Sequence, residues 1–189
     1  MRLVVAITGA SGAIYGVRLL EALHSRPGVE TLLVVSAAAQ AIVPQETGRA
    51  LAEVQALATR TFDNGDLAAP IASGSFHTDG MVVAPCSIKT LSALANSYAE
   101  TLIARAGDVA LKERRRLILL VRETPLHAGH LRLMLALAEL GAVIMPPIPT
   151  FYGQPKTIDD LVNHTIGRVL DHLGLEHDLY RPWLGCSEA

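Results

Sequence analysis

The run Leu3-Val4-Val5-Ala6-Ile7-Thr8 passes directly into the glycine turn Gly9-Ala10-Ser11-Gly12-Ala13, and this junction limits the possible folds more than any other stretch. A short apolar run rich in β-branched residues marks a strand buried on both faces, as in parallel sheets. Parallel strands need a crossover, and helical sequence over residues 14–24 supplies one. The same order recurs. A strand over 31–35 precedes a helix over 37–45 and helical sequence over 50–58, a strand over 81–84 precedes a helix over 87–97, and a strand over 117–121 precedes a helix over 127–140. A last strand over 142–145 and a closing helix over 157–173 complete the pattern. This alternation predicts an α/β chain with a doubly wound parallel sheet. Residues 63–80 and the proline-dense Pro146-Pro147-Ile148-Pro149-Thr150-Phe151-Tyr152-Gly153 read as ordered or gating loops, too short and too apolar for linkers. A single domain over 1–189 is expected, with a tail from about residue 175.

Composition supports a large core and narrows the partners. Half of the 189 residues are hydrophobic and 18% are charged, which excludes disorder as the dominant state. Aromatics contribute only 4%, so Ala, Val, Leu and Ile must build the core. The mean hydropathy of +0.34 is high for a lone subunit and predicts apolar surface buried in a homo-oligomer. Sixteen basic against 18 acidic residues argue against nucleic-acid binding. The longest apolar runs, such as 3–7 and 117–121, fall far short of the roughly 20 residues of a membrane span. Met1-Arg2 leads into a strand with no small-residue cleavage site, so a cytoplasmic protein is expected. Cys86 and Cys186 make neither a disulfide framework nor a zinc cluster.

Ligands of open α/β sheets bind outside the carboxyl ends of the strands. Just after the expected strands stand Ser11, Ser36, Cys86-Ser87 with Lys89 and Thr90, Arg122-Glu123, and Tyr152. Hydroxyls at helix starts, an arginine, a carboxylate and a phenol along one edge suit a phosphorylated ligand. The glycine turn lacks the Gly-Lys-Ser/Thr of a Walker loop and the full Gly-x-Gly-x-x-Gly spacing, and Ser36 stands where a ribose-binding acid would sit. A mononucleotide or flavin phosphate therefore fits better than NAD. The backbone N–H groups of the turn are expected to point at that phosphate, with Ser11 adding a hydroxyl donor; the structural alternative is a tight turn in which Ser11 caps the helix.

Other residues read both ways. Residues 105, 108 and 112 share a helical face, where Asp108 and Lys112 form an i, i+4 surface pair if structural, with Arg114 to Arg116 a solvated basic run. Glu46 near a helix C-terminus opposes the macrodipole. Arg168 flanks an apolar stripe of Ile158, Leu161, Val162, Thr165, Ile166, Val169 and Leu173, where it must snorkel or meet an anion. His127 and His130 lack a third metal ligand, and no metal is expected. Cys86 is either a nucleophile at a helix start or a small buried residue near the ligand.

Gly9-Ala10-Ser11-Gly12-Ala13-Ile14-Tyr15-Gly16, Ser73-Gly74-Ser75-Phe76, Ala84-Pro85-Cys86-Ser87-Ile88-Lys89-Thr90-Leu91, residues 105–115, Arg122-Glu123-Thr124-Pro125-Leu126 and Pro149-Thr150-Phe151-Tyr152 closely resemble the UbiX-like flavin prenyltransferases. The likeness runs in order over nearly the whole chain. It implies a Rossmann-like (flavodoxin-like), three-layer αβα subunit that binds FMN and assembles into a dodecamer, with the flavin near subunit contacts. The implied reaction moves a dimethylallyl group from dimethylallyl monophosphate to N5 and C6 of reduced FMN. The product, prenylated FMN, would serve a UbiD-like decarboxylase, in ubiquinone biosynthesis or aromatic-acid breakdown. By position-wise matching, Gly9, Ala10, Ser11, Ser36, Ser87, Ile88, Lys89, Thr90 and Arg122 would hold the flavin, and Lys112, Arg122, Tyr152 and Arg168 the donor phosphate. Ser11 with Glu46 would relay the C6 proton, and Glu123 would exchange one with the phosphate. One departure is Leu67, where relatives often carry tryptophan.

Two alternatives remain beside this reading. The related flavin-dependent cysteine decarboxylases use a catalytic His, for which His77 is a loose candidate, and a Pro-x-Met-Asn-x-x-Met-Trp signature that has no counterpart here. A non-catalytic FMN carrier would have no need of Lys112, Glu123, Tyr152 and Arg168.

Overall fold

In the computed structural model, strand β1 (Arg2–Ile7) ends at the glycine turn, and α1 (Ala13–Leu23) follows it. Residues 1–24, 26–183 and 185 are described, in two compact units, Met1–Pro146 and Pro147–Ala189; Cys186 lies outside the described residues. The first unit continues with β2 (Glu30–Val35), α2 (Ala37–Thr47), α3 (Leu51–Ala56), β3 (Arg60–Phe62) and a short 3₁₀ turn (Pro70–Ala72). Then come β4 (Gly80–Cys86), α4 (Ile88–Ala95), α5 (Leu102–Lys112), β5 (Arg116–Val121), α6 (Ala128–Glu139) and β6 (Val143–Ile144). The six strands form one parallel sheet in the order β3-β2-β1-β4-β5-β6.

Strand periodicity assigns the faces. Val4, Ala6, Leu32, Val34, Met81, Val83, Leu117 and Leu119 pack with Leu91 and Leu94 of α4, Leu102, Ile103 and Ala106 of α5, and Leu137 of α6. On the opposite face Gly16 brings α1 so close to Ile7 and the Ala84 carbonyl that any Cβ would overlap them. The core is aliphatic, as composition predicts, and each fully buried Leu or Ile contributes roughly 1.5–3 kcal/mol.

Most elements lie within a few residues of their expected bounds, and the departures have physical causes. Strand β3 escapes a search for apolar runs because it is an edge strand with Arg60 and Thr61 exposed, and Arg60 lies 5.0 Å over the Phe62 ring. Strand β4 runs past residue 84 to Cys86 through a register shift against β5 between Val83 and Cys86. Helix α2 runs to Thr47 with Pro44 inside it, which places Glu46 within its last turn.

The second unit is built on α7 (Ile158–Leu173). Thr157 Oγ1 accepts from the Asp160 N–H at 3.1 Å, and Asp160 Oδ2 accepts from the Thr157 N–H at 2.9 Å, a reciprocal cap. Val162, Thr165, Ile166, Val169 and Leu173 are buried as expected, but Ile158 is 78% exposed because it opens the helix. Among the described residues no helix is long and apolar enough to cross a membrane.

Candidate active site

The strand order reverses between β1 and β4, and crossovers leave in opposite directions there, opening a crevice at the carboxyl ends. Buried Thr8 holds the two ends together. Its Oγ1 donates to the Pro85 carbonyl at 2.7 Å and accepts from the Ser87 N–H at 2.8 Å. Ser87 caps α4, accepting from the Thr90 N–H at 3.3 Å with Thr90 Oγ1 3.2 Å away. Ser36 caps α2 by accepting from the Ala39 N–H at 3.3 Å, and its own N–H donates to the Ile7 carbonyl at 3.0 Å. The Arg122 N–H donates to the Cys86 carbonyl at 3.0 Å. Ser11, Ser36, Ser87, Thr90, Arg122 and Glu123 therefore stand along one edge of the sheet, with exposed Lys89 and half-buried Ile88 in the first turn of α4. The Ala10 N–H closes the turn onto the Thr8 carbonyl at 2.9 Å, and Gly9 lies so near Ala38 that a Cβ would overlap it. Sequence reasoning passed over Thr8, although a threonine closing a buried strand is itself a signal.

The structure brings Ser11 and Glu46 together. Glu46 Oε2 accepts from the Gly12 N–H at 2.8 Å and the Ala13 N–H at 2.9 Å, and the Ser11 hydroxyl donates to the same carboxylate. The carboxylate that opposes the dipole of α2 thus caps α1, and two amides of the glycine turn are engaged by it instead of pointing at a phosphate. Burial acts to raise the Glu46 pKa; the Ser11, Gly12 and Ala13 hydrogen bonds and the Arg122 charge outweigh it and hold the carboxyl below its ordinary value. Glu123 Oε1 accepts from the Thr124 N–H at 2.9 Å beside exposed Arg122. Cys86 is fully buried with its thiol pushed up to about 12 by that burial, so it is no nucleophile and takes the small-residue role.

Lys112 stands elsewhere. It ends α5, just before β5 begins at Arg116, so it lies at the amino edge of the sheet. Its ammonium pairs with Glu113 and lies against Gly74. The expected Asp108–Lys112 pair gives way to Arg105–Asp108 at 3.0 Å, with Arg105 also donating to the Ala72 carbonyl at 2.9 Å. The basic run is not uniformly solvated either. Arg115 donates to the Gly74 and Phe76 carbonyls at 2.5 and 3.0 Å and ties the loop ahead of β4 to β5. His77 shares that edge, where its carbonyl accepts from Arg2 at 3.0 Å, far from the crevice that a catalytic histidine would face. His127 caps α6 by accepting from the Gly129 N–H at 3.0 Å and stacks on His130 at 3.6 Å. Exposed Leu67 sits in the loop after β3.

The second unit carries its own polar cluster. His164 Nε2 is 2.9 Å from Tyr152 Oη, and His164 Nδ1 is 3.0 Å from Thr150 Oγ1. Arg168 meets an anion: it donates to Asp171 Oδ2 at 2.8 Å, and Asp171 also accepts from Tyr180 at 2.5 Å and pairs with His177 at 3.0 Å. A cleft of about 280 Å³ is lined in part by Thr150, Gln154, Asp160, His164, Tyr180 and Arg181. His164, Asp171 and Tyr180 escaped sequence reasoning, although His164, Arg168 and Asp171 follow the i, i+4, i+7 spacing of one helix face.

Residues 1–170 match the model of the Flavoprotein family. Flavin prenyltransferase UbiX of Salmonella typhimurium is 59% identical over 186 residues, 97% of this chain and 98% of that protein. A dodecameric FMN-dependent UbiX-like decarboxylase from Escherichia coli O157:H7 superposes with a TM-score of 0.96 at 50% identity, covering 98% of this chain and 100% of the other. AnUbiX (PadA1), solved with FMN and dimethylallyl pyrophosphate, superposes at 0.95 with 48% identity over 98% of each chain. The chain belongs to the flavoprotein family and, within it, to the UbiX flavin prenyltransferases.

Proposed function

We propose that this chain is a flavin prenyltransferase that moves a dimethylallyl group from dimethylallyl monophosphate to N5 and C6 of reduced FMN. The observation that carries the reading is the Ser11–Glu46 pair beside Arg122 at the switch point. The 59% identity to a flavin prenyltransferase supports it, as does the likeness to a protein solved with FMN and a prenyl diphosphate.

The edge suits FMN, since hydroxyl-capped starts of α2 and α4 flank the crevice with Arg122 beside them. Gly9, Ala10, Ser11, Ser36, Ser87, Ile88, Lys89, Thr90 and Arg122 would hold it. Reduced FMN, when bound, supplies the two nucleophilic ring atoms. Breaking an allylic C–O bond concentrates charge on the departing phosphate, and Lys112, Arg122, Tyr152 and Arg168 would be the donors arranged to receive it. Glu123 would exchange a proton with that phosphate. Ser11 Oγ would take the C6 proton as its own passes to Glu46, a carboxylate that is ionised at neutral pH and so free to accept it.

The chain works as a homo-oligomer, by likeness a dodecamer, in the cytoplasm, and its product feeds a UbiD-like decarboxylase. Exposed Leu131 and Leu135 on α6 are apolar surface of the kind that subunit contacts cover. The test is mass spectrometry of the flavin extracted after anaerobic incubation with reduced FMN and, in separate reactions, dimethylallyl monophosphate and diphosphate. A gain of one C5H8 unit with the monophosphate is expected; unmodified FMN on a folded, flavin-loaded protein would overturn the reading. The decarboxylase named in one structural neighbour adds a control: 4-hydroxybenzoate alone should release no carbon dioxide.

A further inference from the structure

We propose that His164 is a positioning residue for the donor phosphate: its Nε2–H donates to Tyr152 Oη and turns the phenol proton outward. The inference rests on Tyr152 being a phosphate ligand, as proposed above.

The geometry leaves the imidazole few choices. Both of its nitrogens are engaged, Nδ1 at 3.0 Å from Thr150 Oγ1 and Nε2 at 2.9 Å from Tyr152 Oη. A neutral imidazole has one donor and one acceptor. If the proton were on Nδ1, Nε2 would accept the phenol proton, and Tyr152 would present only lone pairs to an anion. With the proton on Nε2, Thr150 donates to Nδ1, Tyr152 Oη accepts, and the phenol proton is left for a phosphate oxygen. Hydrogen bonds to a charged acceptor are the stronger kind, so an anion favours this second arrangement. Burial, with the Arg168 charge adding to it and Asp171 opposing, lowers the His164 pKa and keeps the ring neutral. The ring is also held in place. It packs edge-on against Tyr152 at 5.5 Å and lies 4.6 Å from Tyr180, which donates to Asp171 at 2.5 Å. One face of α7 thus carries the cation proposed for the phosphate, Arg168, and sets the phenol that acts with it.

The test is a double-mutant cycle on the FMN-loaded full chain, reading inorganic phosphate affinity by calorimetry and the KM for dimethylallyl monophosphate. Tyr152→Phe and His164→Phe should each weaken phosphate binding about tenfold or more, the worth of a hydrogen bond to a charged group. The double variant should be no weaker than Tyr152→Phe alone, because the histidine acts through the phenol. His164→Gln, whose amide can donate near the place of Nε2, should recover most of the loss, with melting temperature and FMN affinity unchanged throughout. Additive losses, a silent His164→Phe, failure of the Gln rescue in a stable protein, or no phosphate binding by wild type would each overturn the inference. Coupled phosphate binding in a protein that makes no prenylated flavin would sustain the inference and remove the functional reading; additive losses in an active enzyme would do the reverse.

Discussion

Glu46 shows how one residue takes opposite meanings at two levels. Along its own helix it is a carboxylate at the wrong end of a dipole; in space it receives two amides of the glycine turn that opens α1 and the Ser11 hydroxyl. Its folded pKa lies below the ordinary carboxylate value of about 4.3. The stability it adds is therefore fully present above that value and lost as pH falls through the lowered folded one. Glu46→Gln should destabilise the protein at pH 7 by about 1 kcal/mol, the usual cost of losing a helix cap. Thermal melts should show the gap from wild type closing below about pH 4; a gap that persists in acid would mean that shape, not charge, carries the effect. Cys86 takes the small buried role, one of the two its sequence position allows, because a thiol at a helix start and a thiol in the core have the same neighbours in sequence and only burial separates them.

At the scale of elements, the strands legible in the sequence are those buried on both faces. β1, β2, β4 and β5 each show a run of buried residues, whereas β3 at the sheet edge needs no apolar run. How the elements join is less visible. Thr8 is the hinge pin between β1, β4 and α4, and Thr8→Val would strip the Ser87 N–H of its partner and leave the Pro85 carbonyl only the residue 8 N–H at 3.3 Å. The expected cost is about 1–3 kcal/mol, with weaker FMN binding by fluorescence titration because the start of α4 loses its anchor. Thr8→Ser, which keeps the hydroxyl, should stay close to wild type in both measurements. Equal loss in both variants would show that the hydroxyl alone does not carry the anchor.

At the scale of the whole molecule, Lys112 poses a geometric problem. It stands at the amino edge of the sheet and Arg122 at the carboxyl edge, separated by a strand whose six residues span roughly 17–20 Å. One chain cannot close both around one phosphate, so if both serve the same donor, Lys112 must come from a second copy. Lys112→Ala and Arg122→Ala oligomers, each inactive in prenyl transfer, should regain about a quarter of wild-type activity when co-assembled, since random mixing completes that share of sites. No recovery in mixed oligomers of verified mass would place both residues in service to one chain's own site.

The sequence by itself determined the parallel sheet, its crossovers and the row of hydroxyl, cationic and acidic residues after the strands. Those features follow from local rules: β-branched runs for buried strands, small capping residues for helix starts, and the general placement of ligands at carboxyl ends. Tertiary structure alone decided the partners. Glu46 meets Gly12 across 34 positions and Thr8 meets Ser87 across 79, and the Arg105–Asp108 pair replaces the one that helical spacing suggested. Spacing determines which neighbours a side chain can reach along its own helix, but hydrogen bonds and charges act through space, and their choice waits until the sheet has brought distant turns together.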